Sequence, residues 1–133
     1  MIDFKQILKT NPNGVLATQD RDKVKTRVFQ FLFTEENKVY FCTSNRKSVY
    51  SQLQENPNVS FCTYAPGFAS VLSIDGRVVF VDDKVLKVRA LEENPGIKEL
   101  YQSAENPEFE IFYITPEKIV SFDFKNGKQV VDF

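Results

Sequence analysis

The sequence predicts a mostly β fold, a barrel carrying inserted helices, and two observations lead there. Short apolar runs with strand character recur along the chain between polar turns, and helical spacing appears in only a few stretches. Thirteen phenylalanines and five tyrosines supply the aromatic content, with no tryptophan, and aromatic side chains favour half-buried strand surfaces. Many short strands leave unpaired edges unless the sheet closes on itself, so a barrel is expected. A chain of 133 residues fits one domain, spanning 1–133, and can bury a core without disulfide or metal support.

The elements follow in order. Asp3 caps a short helix with Phe4, Ile7 and Leu8 on one face, and Asn11-Pro12-Asn13-Gly14 ends it. Gly14–Gln19 is a first strand, Asp20-Arg21-Asp22-Lys23 a polar turn, and Lys25–Thr34 a second strand completing a hairpin. After Glu35-Glu36-Asn37-Lys38 comes a third strand, Val39–Thr43. The polar link Ser44–Ser48 then leads into a helix with Val49, Tyr50 and Leu53 at helical spacing, stopped by Glu55-Asn56-Pro57. Val59–Tyr64 is a fourth strand. Beyond Ala65-Pro66-Gly67, Ser70–Val81 is a long strand in which Gly76 marks a bulge. Asp82 or Asp83 caps a helix running through Val85, Val88 and Leu91, and Ile97, Leu100 and Tyr101 add a further turn or two. Phe109–Ile114 and Ile119–Phe124 are closing strands, and Asn126-Gly127 turns into a last short strand, Gln129–Phe133. Phe122 and Phe124 read as core residues, with a pocket wall as the other reading. The tripeptide Glu-Asn-Pro at 55–57, 93–95 and 105–107 has irregular spacing and reads as helix termination, not as a repeat.

Composition removes several functions. A net charge of −1 creates no field for nucleic acid or an acidic membrane surface. No apolar run approaches the ~20 residues that cross a bilayer. Met1 to Gln6 lacks the basic-then-apolar order of a signal peptide, so a cytoplasmic protein without nucleic-acid or membrane partners is expected. The sequence has no histidine, which removes His-ligated haem, His-ligated zinc and every Ser–His or Cys–His pair. Cys42 and Cys62 each sit in an apolar strand-like run and read as free thiols in or near the core, with no metal site expected. There is no Gly-rich dinucleotide loop and no Walker-type loop. Arg77, Lys84, Lys87 and Arg89 read as a solvated face.

Two stretches could carry chemistry. In Thr26-Arg27-Val28-Phe29-Gln30 a cation interrupts an apolar strand; it either faces solvent or meets a ligand. In Thr43-Ser44-Asn45-Arg46-Lys47-Ser48 a strand ends, hydroxyl and amide side chains cluster, two cations follow and a helix begins. Backbone N–H groups at a helix start attract an anion, hydroxyls donate to phosphate oxygens, and Arg46 and Lys47 add charge. The other reading is an ordinary cap by Ser44 or Asn45 with both cations in solvent.

These stretches, taken in order with Leu53, Asn56-Pro57-Asn58-Val59 and Ser73-Ile74-Asp75-Gly76-Arg77, resemble the pyridoxamine 5′-phosphate oxidase-like superfamily. The resemblance covers about residues 14–82 well and the C-terminal hairpin loosely. It implies a split β-barrel that dimerises and binds flavin mononucleotide (FMN) in clefts at the subunit interface. It also implies roles residue by residue. Arg27 matches a strand arginine on the FMN phosphate, and Val28 and Phe29 match positions whose backbone faces the isoalloxazine ring. Thr43 and Ser44 match strand-end contacts, and Arg46 and Lys47 match the basic pair, Lys47 foremost for phosphate. Gln30, Asn45 and Ser48 complete the expected cofactor-binding set.

The Arg-X-His that serves the substrate in true pyridoxamine phosphate oxidases has no counterpart in residues 125–133. The short chain looks more like the nitroimidazole-resistance group and general flavin reductases, with deazaflavin users as a further branch. The expected function is then electron transfer from a reduced nicotinamide, through FMN, to a small acceptor such as a nitro compound or quinone, with no catalytic side chain required. The alternatives are a non-catalytic flavin sensor or carrier, and a split barrel holding another ligand.

Overall fold

The structure, a computed structural model, describes residues 2–133. Helix α1 (Phe4–Thr10) begins at Asp3, whose carboxylate accepts from the Gln6 N–H at 3.2 Å. Strands β1 (Asn13–Asp20) and β2 (Lys23–Gln30) form the expected hairpin. Then come β3 (Phe33–Glu35), β4 (Lys38–Ser44), α2 (Ser48–Glu55), β5 (Asn58–Tyr64) and the long β6 (Ser70–Val81). Helices α3 (Lys84–Glu93) and α4 (Pro95–Tyr101) precede β7 (Phe109–Asp123) and β8 (Gly127–Asp132). All pairings are antiparallel, in the order β2-β1-β5-β6-β7-β4-β3, with β8 on β7.

The expected second strand, Lys25–Thr34, is two strands. The Phe31 N–H donates to Pro12 O, beside β1, whereas the Leu32 N–H donates to Tyr40 O of β4. The chain therefore changes partner between these residues. Phe31 packs with Leu16, Phe41 and Phe61 inside the barrel, and Leu32 packs with Leu86 and Leu91 on its other side. Both strand faces are buried here, so the polar/apolar alternation that would have marked the break is missing.

The two expected closing strands are one strand, β7. Pro116 lies inside it because the ladder is irregular there: Asp75 pairs with Lys118 and Gly76 with Pro116, which leaves Glu117 extra. A bulge is thus found opposite Gly76, but its extra residue is on β7. Glycine is needed at 76 because a Cβ would collide with the Thr115 carbonyl and the Ile114 side chain.

Strand β4 divides two cores. Val39 and Phe41 point into the barrel, where the Phe41 ring meets Phe61 edge-on at 4.8 Å and stacks on Phe112 at 5.6 Å. Tyr40 points the other way, into a second core with Phe33, Phe109 and the α3–α4 pair. Asp83 caps α3, accepting from the Val85 and Leu86 N–H groups. The helix buries Leu86, Ala90 and Leu91, while Val85 and Val88 stay exposed.

The expected solvated face is partly tied down. Arg89 lies 4.0 Å over the Phe33 ring and pairs with Glu93 and Glu35, and Lys87 pairs with Asp82. Phe122 and Phe124 are not core residues. Phe122 is on the outer face of β7 and Phe124 lies past its end; both are exposed.

Replacing Gly76 with alanine is expected to destabilise the protein by about 1–3 kcal/mol through overpacking at the bulge. The matched change Gly96→Ala in α4, where an added methyl meets nothing, is expected to leave stability unchanged or raise it by up to about 1 kcal/mol. Urea unfolding of the two variants checks both.

Candidate functional site

Because the chain changes partner at Phe31 and Leu32, β2 and the C-terminal half of β4 share no ladder. Strand β2 pairs only with β1, leaving its other edge free, and the barrel is split along that edge. A cleft of about 300 Å³ occupies the split. Its β2 wall carries Arg27, Val28, Phe29 and Gln30; Cys42 comes from β4, and Lys47 and Val49 from the start of α2. The facing wall is α4, through Ile97, Leu100 and Tyr101. The cleft therefore has cations on one side and an apolar helix on the other.

The two cations differ from the rest of the basic residues near them. The Arg27 guanidinium donates to the Gln52 amide oxygen at 3.0 Å, and no carboxylate pairs with Arg27 or Lys47 among the described residues. Arg46, by contrast, is paired with Glu108 at 3.1 Å on the outer surface and does not line the cleft. Its charge is already answered, and theirs is not.

Of the other expected residues, Asn45 is a structural tie. Its amide donates to Pro107 O at 2.7 Å and to Glu110 at 2.9 Å, clamping the strand–helix link onto the start of β7. The Ser44 hydroxyl accepts from the Arg46 N–H. Neither Ser44 nor Asn45 caps α2: the capping position is Lys47, which makes no side-chain cap bond. The ordinary-cap reading of this segment is thereby overturned, and the first N–H groups of the helix lack a side-chain acceptor. Thr43 is buried with its hydroxyl unpartnered, and Ser48 is exposed; neither lines the cleft.

Val49, Cys42 and the α4 residues were not foreseen as part of the site. Ile97, Leu100 and Tyr101 were visible as helically spaced apolar residues, but only the tertiary packing carries them to the split. Tyr101 stacks on Phe109 at 4.6 Å, Asn106 donates to its carbonyl, and Gln30 reaches Asn94 at the head of the helix. Burial pushes the Tyr101 hydroxyl up to about 12. It pushes the Cys42 thiol up to about 12 as well, against an opposing pull from Lys47. At neutral pH both groups hold their protons.

A larger hollow of about 460 Å³ lies on the opposite side of Val28, between the α1–β1 link and Tyr64-Pro66. No charged side chain lines it, so an anion has no reason to choose it. Among the described residues no cluster could hold a metal ion, and no helix is long and apolar enough to cross a membrane.

The sequence profile of the pyridoxamine 5′-phosphate oxidase family matches residues 2–122. The chain belongs to that family. A NimC/NimA family protein from Clostridium acetobutylicum superposes with a TM-score of 0.86 at 26% identity, covering 96% of this chain and 88% of that one. A pyridoxamine 5′-phosphate oxidase-related, FMN-binding protein from Nostoc punctiforme shares the fold at 16% identity, with a TM-score of 0.65 over 90% of this chain and 78% of that one. So does an FAD-binding protein from Mesorhizobium loti, at 16% identity and a TM-score of 0.73 over 91% and 94%. No curated protein matches the sequence closely enough to count as a relative. The mostly β split barrel expected of this family is the fold found.

The raised Cys42 thiol has a definite sign for stability. The folded protein binds that proton more tightly than the unfolded chain, whose thiol titrates near 9.0, so the contribution is complete below about pH 9 and is lost as pH rises toward 12. Urea midpoints are therefore expected to hold steady from neutral pH to about 9 and to fall above it, less steeply in Cys42→Ala. Alkylation of the native protein by iodoacetamide at neutral pH should run at least about tenfold slower than in urea.

Proposed function

We propose that the chain binds FMN in the split and passes electrons from a reduced nicotinamide to a small acceptor such as a nitro compound or quinone. The observation that carries this reading is the pair of cations without a carboxylate partner, Arg27 and Lys47, in a cleft whose opposite wall is apolar. A ligand suited to it has an anionic end and a flat apolar body. Arg27 and Lys47 would hold the phosphate by charge-assisted hydrogen bonds. The free backbone edge of β2 from Val28 to Gln30 offers N–H and C=O groups to polar ring atoms, and Ile97 and Leu100 exclude water from the far side. The chemistry supplied by bound flavin is two-electron transfer. With Cys42 and Tyr101 both protonated, the protein's part is to bind, orient and exclude water, and the family relationship supports that division of labour.

A homodimer belongs to the same reading. Val28, Val15, Cys62, Ser73, Val120 and Val130 are successive ladder partners and so form one row across the outer face of the sheet. Val28, Val15 and Val130 are exposed, as are Tyr64 and Phe122 in the neighbouring row. An apolar face of this extent is the surface a second copy would cover, and it adjoins the split at Val28.

The direct test is the visible spectrum of purified protein after addition of excess FMN and desalting, with riboflavin and FAD in parallel. A retained oxidised-flavin spectrum is expected with FMN, and consumption of reduced nicotinamide with a nitro compound or quinone separates catalysis from simple carriage. Protein that stays colourless with all three flavins would remove the reading. Lys47→Ala should weaken FMN binding roughly ten- to hundredfold, whereas Arg46→Ala, whose charge Glu108 already meets, should change it less than about twofold. Sedimentation should show a dimer, and Val130→Glu should yield monomer.

A further inference from the structure

We infer that Gln52 is the positioning residue of the anion site: its side chain aims the Arg27 guanidinium without neutralising it. The inference rests on the flavin reading above.

Helix α2 buries Val49 and Leu53, and Gln52 lies beside them, half-buried at the margin of that apolar stripe. A polar side chain there has to satisfy its own hydrogen bonds. Its amide oxygen accepts from Arg27 Nη2 at 3.0 Å and from the Thr18 hydroxyl at 3.3 Å. Thr18 is itself only 1% exposed, so this oxygen is held from the β1 side by a buried donor while it grips the guanidinium on the β2 side. One carbonyl oxygen therefore ties together β1, β2 and α2 next to Arg27, which lines the cleft.

The chemical identity of the partner matters. A carboxylate at this position would also hold Arg27, but it would cancel the charge that a phosphate needs to meet. An amide accepts the hydrogen bond and leaves the full charge in place. The remaining guanidinium donors stay available to the cleft, which Arg27 lines. Gln52 also links the two cations. Lys47 stands at the start of the same helix, five residues earlier, about 7.5 Å along the axis. The backbone of Lys47 is thus fixed at the start of the helix that also holds Arg27 through Gln52.

Affinities for FMN and for riboflavin, which has the same ring system but no phosphate, test this in wild type, Gln52→Met, Gln52→Glu, Arg27→Ala and the Arg27→Ala/Gln52→Met double variant. Gln52→Met, similar in volume but unable to accept strongly, is expected to weaken FMN about fivefold and leave riboflavin unchanged. In the Arg27→Ala background the same change should cost nothing further. Gln52→Glu should weaken FMN tenfold or more, again with riboflavin unchanged, and carries the comparison if the methionine variant does not fold. Equal loss of both ligands would mean that Gln52 serves packing alone, and an unchanged preference for FMN over riboflavin in both Gln52 variants would likewise overturn the inference while leaving the flavin reading intact. Wild-type protein that binds neither flavin would overturn both.

Discussion

The change of partner at Phe31 and Leu32 governs the rest of the molecule. Up to Phe31 the chain is hydrogen-bonded beside β1, and from Leu32 it belongs to β4. A strand bonded along its whole length to β1 on one side and to β4 on the other would have closed the sheet and left no room. Because it switches, two lengths of backbone face each other without bonding, and the space between them becomes the cleft. The switch is held by burial on both sides, Phe31 in the barrel core and Leu32 in the core beneath α3 and α4. Sliding either residue by one position would exchange their faces and expose large apolar side chains.

The same economy runs through the helices. Helix α2 is only eight residues long, yet it seals one end of the barrel with Val49 and Leu53, presents Lys47 to the cleft and holds Arg27 through Gln52. Helix α4 completes the second core with Tyr101 and also forms the apolar wall of the cleft. Stability and site geometry are therefore not separable in these segments, and a change that loosens either core moves a wall of the cleft.

Much of this was legible in the sequence where local chemistry decides structure. Asp3 and Asp83 cap helices because a carboxylate there meets free N–H groups, and β6 runs from Ser70 to Val81 as its pattern implied. Local reading failed where distant contacts decide. The run Phe31-Leu32-Phe33 shows no alternation to mark its break, and the expected gap between Ile114 and Ile119 is bridged by a bulge that needs Gly76 from another strand. In the site, a cation inside an apolar strand and a basic pair at a helix start singled out Arg27 and Lys47. What separates Arg46 from Lys47 is Glu108, which lies 62 residues further along the chain. Nothing local in the sequence announces that pairing, nor that α4 would arrive opposite β2.

The free edge of β2 has a meaning beyond recognition. An unpaired strand edge is a template on which another chain can add, and proteins commonly guard such edges with charge. Lys23, Lys25 and Arg27 guard the first part of this one, but Val28, Phe29 and Gln30 carry no charge. A ligand held in the split as proposed would also cover that stretch, and its supply would then bear on whether newly made chains remain dispersed or aggregate through β2.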